Sequence, residues 1–313
     1  MRILVFLILF FATHFSDAQS KSLNRELMVE ADNDAYTLNL TRDQYYSNGV
    51  YLRYRHLTDS SKLKNGVDKI VRTYHMNHRI FSPRHLWWTE LEDLDRPYAG
   101  QFSISISNEY YLKNESYFKA QLELGWMGPA VGADRLQYGW HETFGMQLPQ
   151  AWQYQINDAP IVNLYGTYVR TLVTNATKDA EIITESNIAL GTTFTHARQE
   201  LMFRVGKFNP IQSSSQLNGV IGRKNDGKKL QEFYFFISPG VEYIAHNSTI
   251  EGNIVGKESI YTEVREPWVY QTRAGLLWGW TRYDLAFILY RRTKETPEST
   301  FHKYVGIRMN LRF

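Results

Sequence analysis

The C-terminal run from Phe301 to Phe313 alternates almost without error. Val305, Ile307, Met309, Leu311 and Phe313 take one face of an extended chain, and Gly306, Arg308, Asn310 and Arg312 take the other. Successive strand side chains point to opposite sides, so this strand has one apolar face and one that must stay wet. Two architectures satisfy that demand: a soluble sandwich with a packed core, or a membrane barrel with lipid outside and a polar lumen inside. Phe102, Ile104 and Ile106 alternate in the same way with Gln101, Ser103, Ser105 and Ser107. Phe118, Ala120, Leu122, Leu124 and Trp126 alternate with Lys119, Gln121, Glu123 and Gly125. Strands of about ten or more residues outrun those of sandwiches and suit a tilted membrane crossing. The pattern therefore predicts an all-β transmembrane barrel.

The first residues agree. Met1-Arg2, the apolar run Ile3 to Phe11 and the small residue of Ser16-Asp17-Ala18 read as a secretory signal peptide over 1–18, cut before Gln19. The mature barrel domain is then 19–313, a single domain, because no linker or repeat divides it. After residue 15 no run of about 18 apolar residues survives without a charge, which excludes a helical membrane bundle. Lys+Arg 35 against Asp+Glu 32 leaves a net charge of only +3 with no long basic block, so a nucleic-acid partner is not expected. The chain has 0 cysteines, which excludes disulfides, thiolate metal sites and a cysteine nucleophile.

Aromatic residues make up 15% of the chain and gather at strand ends: Tyr45-Tyr46, Tyr110-Tyr111, Tyr243, Trp278, Trp280 and Phe313. This placement suits the interfacial girdles of an outer-membrane barrel. Candidate strands lie near 25–35, 45–57, 70–82, 98–110, 116–127, 160–174, 180–194, 198–208, 231–245, 247–258, 267–280, 281–292 and 301–313. A barrel with both ends in the periplasm needs an even number. Assigning 247–258 to an external loop gives a 12-stranded antiparallel barrel and a tight periplasmic link at Trp280 to Arg282. The same parity puts 36–44, 83–97, 128–159 and 293–300 outside, the third being the largest, and makes 209–230 a long periplasmic connection.

Three clusters at the external end break the alternation. Glu30-Ala31-Asp32-Asn33-Asp34 closes the first strand with the oxygen ligands that a hard cation requires, although such clusters also make ordinary turns. Arg42-Asp43-Gln44-Tyr45-Tyr46-Ser47-Asn48-Gly49 opens the second and sets the Ser47 hydroxyl across from Asn33 and Asp34. The third runs from Gly128-Pro129 through Asp134-Arg-Leu-Gln137-Tyr-Gly-Trp-His141 to Gly145, Pro149 and Trp152. A short helix can begin near Ala133. Gln137 and His141 then share one face, and Leu136, Trp140 and Phe144 form an apolar stripe beside it. That stripe is expected to lie on an apolar wall, presenting the amide and the imidazole at the helix edge.

Together with Asp95-Arg96-Pro97-Tyr98-Ala99-Gly100, these strings resemble the lipid A 3′-O-deacylase family of outer-membrane proteins. The resemblance covers nearly the whole mature chain and is most specific between residues 30 and 155. It implies a calcium-dependent esterase site between the outer barrel wall and the helix of a large extracellular loop. Carried onto this sequence, it makes His141 the general base that activates water, and Asn33 and Asp34 the residues that organise Ca2+. Ser47 supplies a neighbouring hydroxyl and Gln137 supports the site from the helix. The substrate implied is lipid A, or lipopolysaccharide, met among outer-membrane lipids by a monomeric barrel in the bacterial outer membrane. An imidazole, with an ordinary pKa of about 6.5, is suited to take a proton from water. Two departures stand out. Better-known members carry a carboxylate six residues after the histidine, where this chain has Gln147, and a lysine in the second external loop, where it has Arg84-His85-Leu86-Trp87-Trp88. Three readings stay open: acyl removal from lipid A, the same chemistry on another lipid by a phospholipase-like esterase, and a non-catalytic structural, binding or transport barrel. Ser47 can also be read as an acyl-carrying nucleophile.

Overall fold

A computed structural model of the chain describes residues 23–37, 44–58, 66–222 and 231–313. The segment read as a signal peptide lies outside these. Twelve strands close into one antiparallel barrel, each paired with its sequence neighbours and the last with the first. They are β1 (Arg25–Asn33), β2 (Tyr45–Leu57), β3 (Val67–Ser82), β4 (Ala99–Leu112), β5 (Ser116–Met127) and β6 (Ala159–Thr174). The circuit continues through β7 (Ala180–Gly191), β8 (Phe194–Lys207), β9 (Gln231–Asn247), β10 (Trp268–Trp280), β11 (Tyr283–Arg292) and β12 (His302–Arg312). No helix among the described residues is long and apolar enough to cross a membrane.

The period-2 pattern reverses the usual inside and outside. Gln101, Ser103, Ser105, Ser107 and Glu109 of β4 are buried, whereas Phe102, Ile104 and Ile106 are exposed. The interior is a polar cavity of about 500 Å³, lined by residues such as Arg79, Glu109, Glu123 and Arg273. Such an inversion is stable only with hydrocarbon outside. Several charges within the wall are paired: Arg312 donates to Glu26 at 2.8 Å and also bonds Asp284, while Arg55 reaches Glu26 at 2.6 Å.

Segment 247–258 lies in the β9–β10 loop, as the twelve-strand assignment requires: a single helical turn, Ser248–Glu251, opens it, with the Asn247 side chain accepting from Thr249 N. Other expectations are corrected. β1 stops at Asn33 rather than 35, because the Asn33 Oδ1 takes the Ala35 N–H at 2.7 Å and starts a 3-10 turn over Asp34–Thr37. β8 begins at Phe194 rather than 198, leaving only two residues after Gly191. The aromatic girdle is partly misassigned. Tyr45, Tyr46 and Tyr111 are buried inside, whereas Tyr243, Trp268, Trp280, Tyr283 and Phe313 are exposed.

The connection 209–230 also differs from expectation. Its described part, up to residue 222, folds up into the barrel mouth, burying Ile211, Val220 and Ile221. The Lys69 ammonium donates to the carbonyls of Gln212 at 2.6 Å, Ile221 at 2.7 Å, and Gly219. Tyr111 Oη donates to Leu217 O at 2.6 Å, and Glu232 accepts the backbone N–H groups of Asn209 and Ser215. A buried backbone needs partners for its polar groups, and the lumen-facing side chains supply them.

At the opposite end the long loops cross the opening. Arg96, fully buried, reaches Glu295 at 3.2 Å and Thr249 Oγ1 at 3.0 Å, joining the β3–β4, β9–β10 and β11–β12 loops. Burial pushes the Arg96 pKa down, opposed by Glu295. Tyr261 Oη donates to Leu94 O, adding a second tie between loops.

Candidate active site

The β5–β6 loop carries the helix anticipated near Ala133. Gly128 adopts φ 109° and Pro129 opens a 3-10 turn; the helix, α1 (Ala133–Phe144), then runs to Gly145 at φ 63°. Gly145 N–H bonds the Glu142 carbonyl at 3.3 Å, and Met146 N–H bonds that of His141 at 2.8 Å, a glycine-terminated C-cap. Twelve residues form only a marginal helix in isolation, so packing must hold it. That packing is close. A Cβ at Gly100 on β4 would stand 2.3 Å from the Ala133 Cβ and 2.9 Å from Val131 Cγ2. Only glycine lets α1 lie against the wall there.

The orientation of α1 is opposite to the one expected. Ala133, Gln137 and His141, spaced four apart, are its buried residues. Leu136, Trp140 and Phe144 are exposed at 57%, 48% and 51%. The apolar stripe continues the lipid-facing surface of the barrel, and the polar pair is turned inward against the wall.

Two of the sequence-selected residues, Ser47 and Gln137, bond to β3 beside that contact. Asn33 on β1 pairs with Asn48 on β2. Ser47 is the extra residue of a β-bulge, because Tyr46 pairs with Phe81 and Asn48 with Ile80, so Ser47 leaves the regular alternation. It is buried, with its Oγ donating to Ile80 O at 3.5 Å. Ile80 packs with Ala133 and Trp152 under the loop. Gln137 Nε2 donates to Ser82 Oγ at 3.3 Å, and Gln137 Oε1 accepts the Trp152 indole N–H at 2.8 Å. The amide is therefore held at both ends.

His141 stands one helical turn beyond Gln137 on the same face. Its Nδ1 bonds the main-chain O of Gln147 at 2.5 Å. A carbonyl only accepts, so Nδ1 carries a proton in this contact. The Gln147 departure concerns a side chain, whereas the imidazole is oriented by the backbone of that residue.

Asp34 is buried at the start of its 3-10 turn. Its Oδ2 accepts Gln44 N–H at 2.7 Å, and its carbonyl accepts Thr37 Oγ1 at 2.7 Å. Arg42 and Asp43 lie outside the described residues. No group of three or more His, Cys, Asp or Glu able to hold a metal occurs among the described residues, so among them a cation here would rest largely on amide, carbonyl and hydroxyl oxygens beside Asp34. Ser82 and Trp152 were missed as partners of Gln137. Trp152 belongs to the quoted spacing, but nothing in a linear pattern shows that its N–H reaches back to α1.

The chain matches the family model described as outer membrane protein LpxR over residues 4–313. Among solved structures it is similar to LpxR from Salmonella typhimurium, with 18% identity and a TM-score of 0.73 over 92% of this chain and 100% of that one. It is also similar to the β domain of the Bordetella autotransporter BrkA, with 9% identity and a TM-score of 0.49 over 94% of this chain and 100% of that one. A third is the COG4313 outer membrane channel from Pseudomonas putida F1, with 10% identity and a TM-score of 0.47 over 96% and 100%. The comparison with curated proteins gave no match. With the family model spanning nearly the whole chain and a closed 12-stranded barrel carrying a helix against its outer wall, this protein belongs to the LpxR family of outer membrane proteins.

Proposed function

We propose that this protein is a calcium-dependent carboxylic ester hydrolase that removes an ester-linked acyloxyacyl chain from lipid A in the outer membrane, using water activated by His141. The carrying observation is the pair Gln137 and His141, buried between α1 and the wall while the other side of α1 meets lipid. A glycolipid held in the leaflet can present an ester to that seam without leaving the membrane. Membership of the LpxR family supports the lipid A reading over other lipids.

The chemistry follows from the imidazole's orientation. His141 Nε2 takes a proton as water oxygen attacks the ester carbonyl, and the imidazolium returns it to the departing sugar oxygen when the acyl C–O bond breaks. A carboxylic acid and a free hydroxyl result. The Nδ1 contact to Gln147 O keeps the ring in place through both transfers. Gln137, fixed by Ser82 and Trp152, offers its amide to the reacting region. Ser47, on its bulge, is a supporting hydroxyl in this reading.

The donors fit calcium better than zinc, being oxygens without thiolate. Asp34 would hold the ion, with Asn33 shaping the turn through its bond to Ala35 N. Bound calcium would supply a Lewis acid for the developing oxyanion. A site with few carboxylates is weak, so activity should need calcium at about 10⁻⁴ to 10⁻³ M.

The test is mass spectrometry of lipid A from cells with and without the protein, paired with purified enzyme assayed in calcium and in chelator. Loss of an acyloxyacyl chain only where the protein is present, abolished by chelation, is the expected result. Turnover of phospholipid instead would move the substrate; no turnover of any lipid ester in calcium would favour a silent barrel.

A further inference from the structure

Tyr45, the first residue of β2, has φ 61°, in the left-handed region. There the Cβ crowds the following carbonyl oxygen, so a bulky side chain adopts this backbone only when its surroundings impose it. The other non-glycine positions with positive φ among the described residues are Glu115, Lys178 and Asn218. Glu115 and Lys178 lie in the β4–β5 and β6–β7 turns, and Asn218 ends a 3-10 turn. Of the four, only Tyr45 is a strand residue. What imposes its backbone comes from two loops at the external end. The Tyr45 side chain is buried, and its Oη donates to Asp95 Oδ2 at 2.7 Å, on the β3–β4 loop. The same hydroxyl accepts the Thr300 N–H at 2.8 Å, on the β11–β12 loop. Asp95 is itself fixed: its Oδ1 accepts the Arg84 N–H at 2.9 Å, and its carbonyl accepts Thr296 Oγ1 at 2.7 Å.

The kink lies among the groups of the candidate site. On its N-terminal side, Gln44 N–H reaches Asp34 Oδ2 at 2.7 Å. On its C-terminal side, the Tyr46 carbonyl accepts His302 Nε2 at 3.1 Å, and Ser47 is the residue that leaves the ladder. Across the ladder Tyr45 pairs with Ser82, whose Oγ accepts from Gln137. Because φ is a rotation about the N–Cα bond, an ordinary strand φ at residue 45 would turn the preceding peptide by about half a turn. The Gln44 N–H would then leave Asp34.

We infer that Tyr45 is a positioning residue for the hydrolytic site: its left-handed backbone, imposed by the ties of its hydroxyl to Asp95 and Thr300, aims the Gln44 N–H at the Asp34 carboxylate and sets Ser47 off the ladder. This role rests on the hydrolase reading above. Backbone strain that the surrounding structure holds in place is one way a site is preorganised. With Oδ2 engaged by Gln44, the Asp34 carboxylate keeps one orientation. Tyr45 acts through Gln44 and Ser47, and through its side chain two distant loops set the geometry of both.

The experiment uses the full chain in detergent micelles with calcium. Tyr45→Phe removes the hydroxyl and keeps the ring. Tyr45→Ala and Tyr45→Gly both remove ring and hydroxyl, but only glycine adopts φ 61° freely. Turnover of an acylated glucosamine disaccharide gives kcat and KM. Hydrogen exchange at the Gln44 amide, followed by NMR, reports the Asp34 contact without any catalysis. Heat-modifiable migration on gels checks that each variant assembles. Tyr45→Phe should lower kcat by about tenfold with KM within about threefold of the parent, and should speed Gln44 exchange by a similar factor, the loss expected when the buried partners of one hydroxyl go unpaired. Tyr45→Gly should exceed Tyr45→Ala by about fivefold in kcat and in Gln44 protection, because it keeps the kink. Packing alone would rank the two the other way, since alanine fills more space. Parent values of kcat and exchange in Tyr45→Phe, or a Tyr45→Gly no better than Tyr45→Ala, overturn the assignment. The expected order of exchange in a chain whose parent hydrolyses no lipid ester would refute the hydrolase reading and keep Tyr45 as the residue that sets Asp34. Hydrolysis by the parent with unchanged kcat in all three variants would refute the positioning role alone.

Discussion

The Trp152 indole N–H donates to Gln137 Oε1 at 2.8 Å, so a residue beyond the end of α1 orients an amide on its inner face. The indole also packs on Tyr98, with ring centroids 4.6 Å apart. Trp152→Phe keeps most of that packing and removes only the donor. A neutral hydrogen bond contributes about 0.5 to 1.5 kcal/mol, so kcat/KM should fall roughly two- to tenfold with assembly unchanged. Parent-level kcat/KM in Trp152→Phe, beside a crippled Gln137→Ala, would show that the amide needs no such support.

His141→Ala should assemble normally and lose deacylation by about 10² or more, the lower end of what general-base catalysis contributes. Gln147→Ala should stay within about threefold of the parent, since a single hydrogen bond at the backbone is unchanged by it. Mass spectrometry of products under matched enzyme amounts measures both. A large loss in Gln147→Ala would instead mean that its side chain takes part.

Gly100→Ala places a methyl where the Ala133 methyl already lies, 2.3 Å away. Overpacking of this kind costs about 1 to 3 kcal/mol, and α1 can escape it by lifting from the wall. Activity should drop while heat-modifiable migration stays normal. Adding Ala133→Gly should restore activity in part. A double variant no better than Gly100→Ala would argue that the close contact is not what seats the helix.

Glu295 sits in the β11–β12 loop against Arg292 at 3.1 Å and Arg96 at 3.2 Å. Burial alone would raise its pKa, but Arg292 and Arg96 outweigh it and hold the carboxyl below its ordinary value. The folded pKa is thus below the unfolded one of about 4.3. The linked stability is present above that value and lost as pH falls through the lowered pKa. Protease accessibility of the loop end should therefore rise only in strongly acidic solution, below about pH 4. Glu295→Gln should show the same accessibility at neutral pH, because it leaves the buried Arg96 guanidinium without its carboxylate. Unchanged accessibility in Glu295→Gln would remove this pair from the loop closure.

The wall was readable because its code is local. Each of Phe102, Ile104 and Ile106 alternates with serine, and a period of two needs only neighbouring residues to be seen. The same holds for Val305 to Phe313. Segment 209–222 was not readable. Ile211, Val220 and Ile221 follow no period, and they enter the barrel mouth only because Lys69, Tyr111 and Glu232 wait there for backbone partners.

The α1 pattern shows where sequence stops. Leu136, Trp140 and Phe144 define a stripe, and Gln137 with His141 a second, whatever surrounds the helix. Sequence alone therefore determined the twelve-stranded wall, the helix and its two faces. Which face meets the wall was decided by tertiary structure. With hydrocarbon as the outer solvent the apolar stripe gains nothing by turning inward, while the amide and imidazole find Ser82, Trp152 and the Gln147 carbonyl only against the barrel.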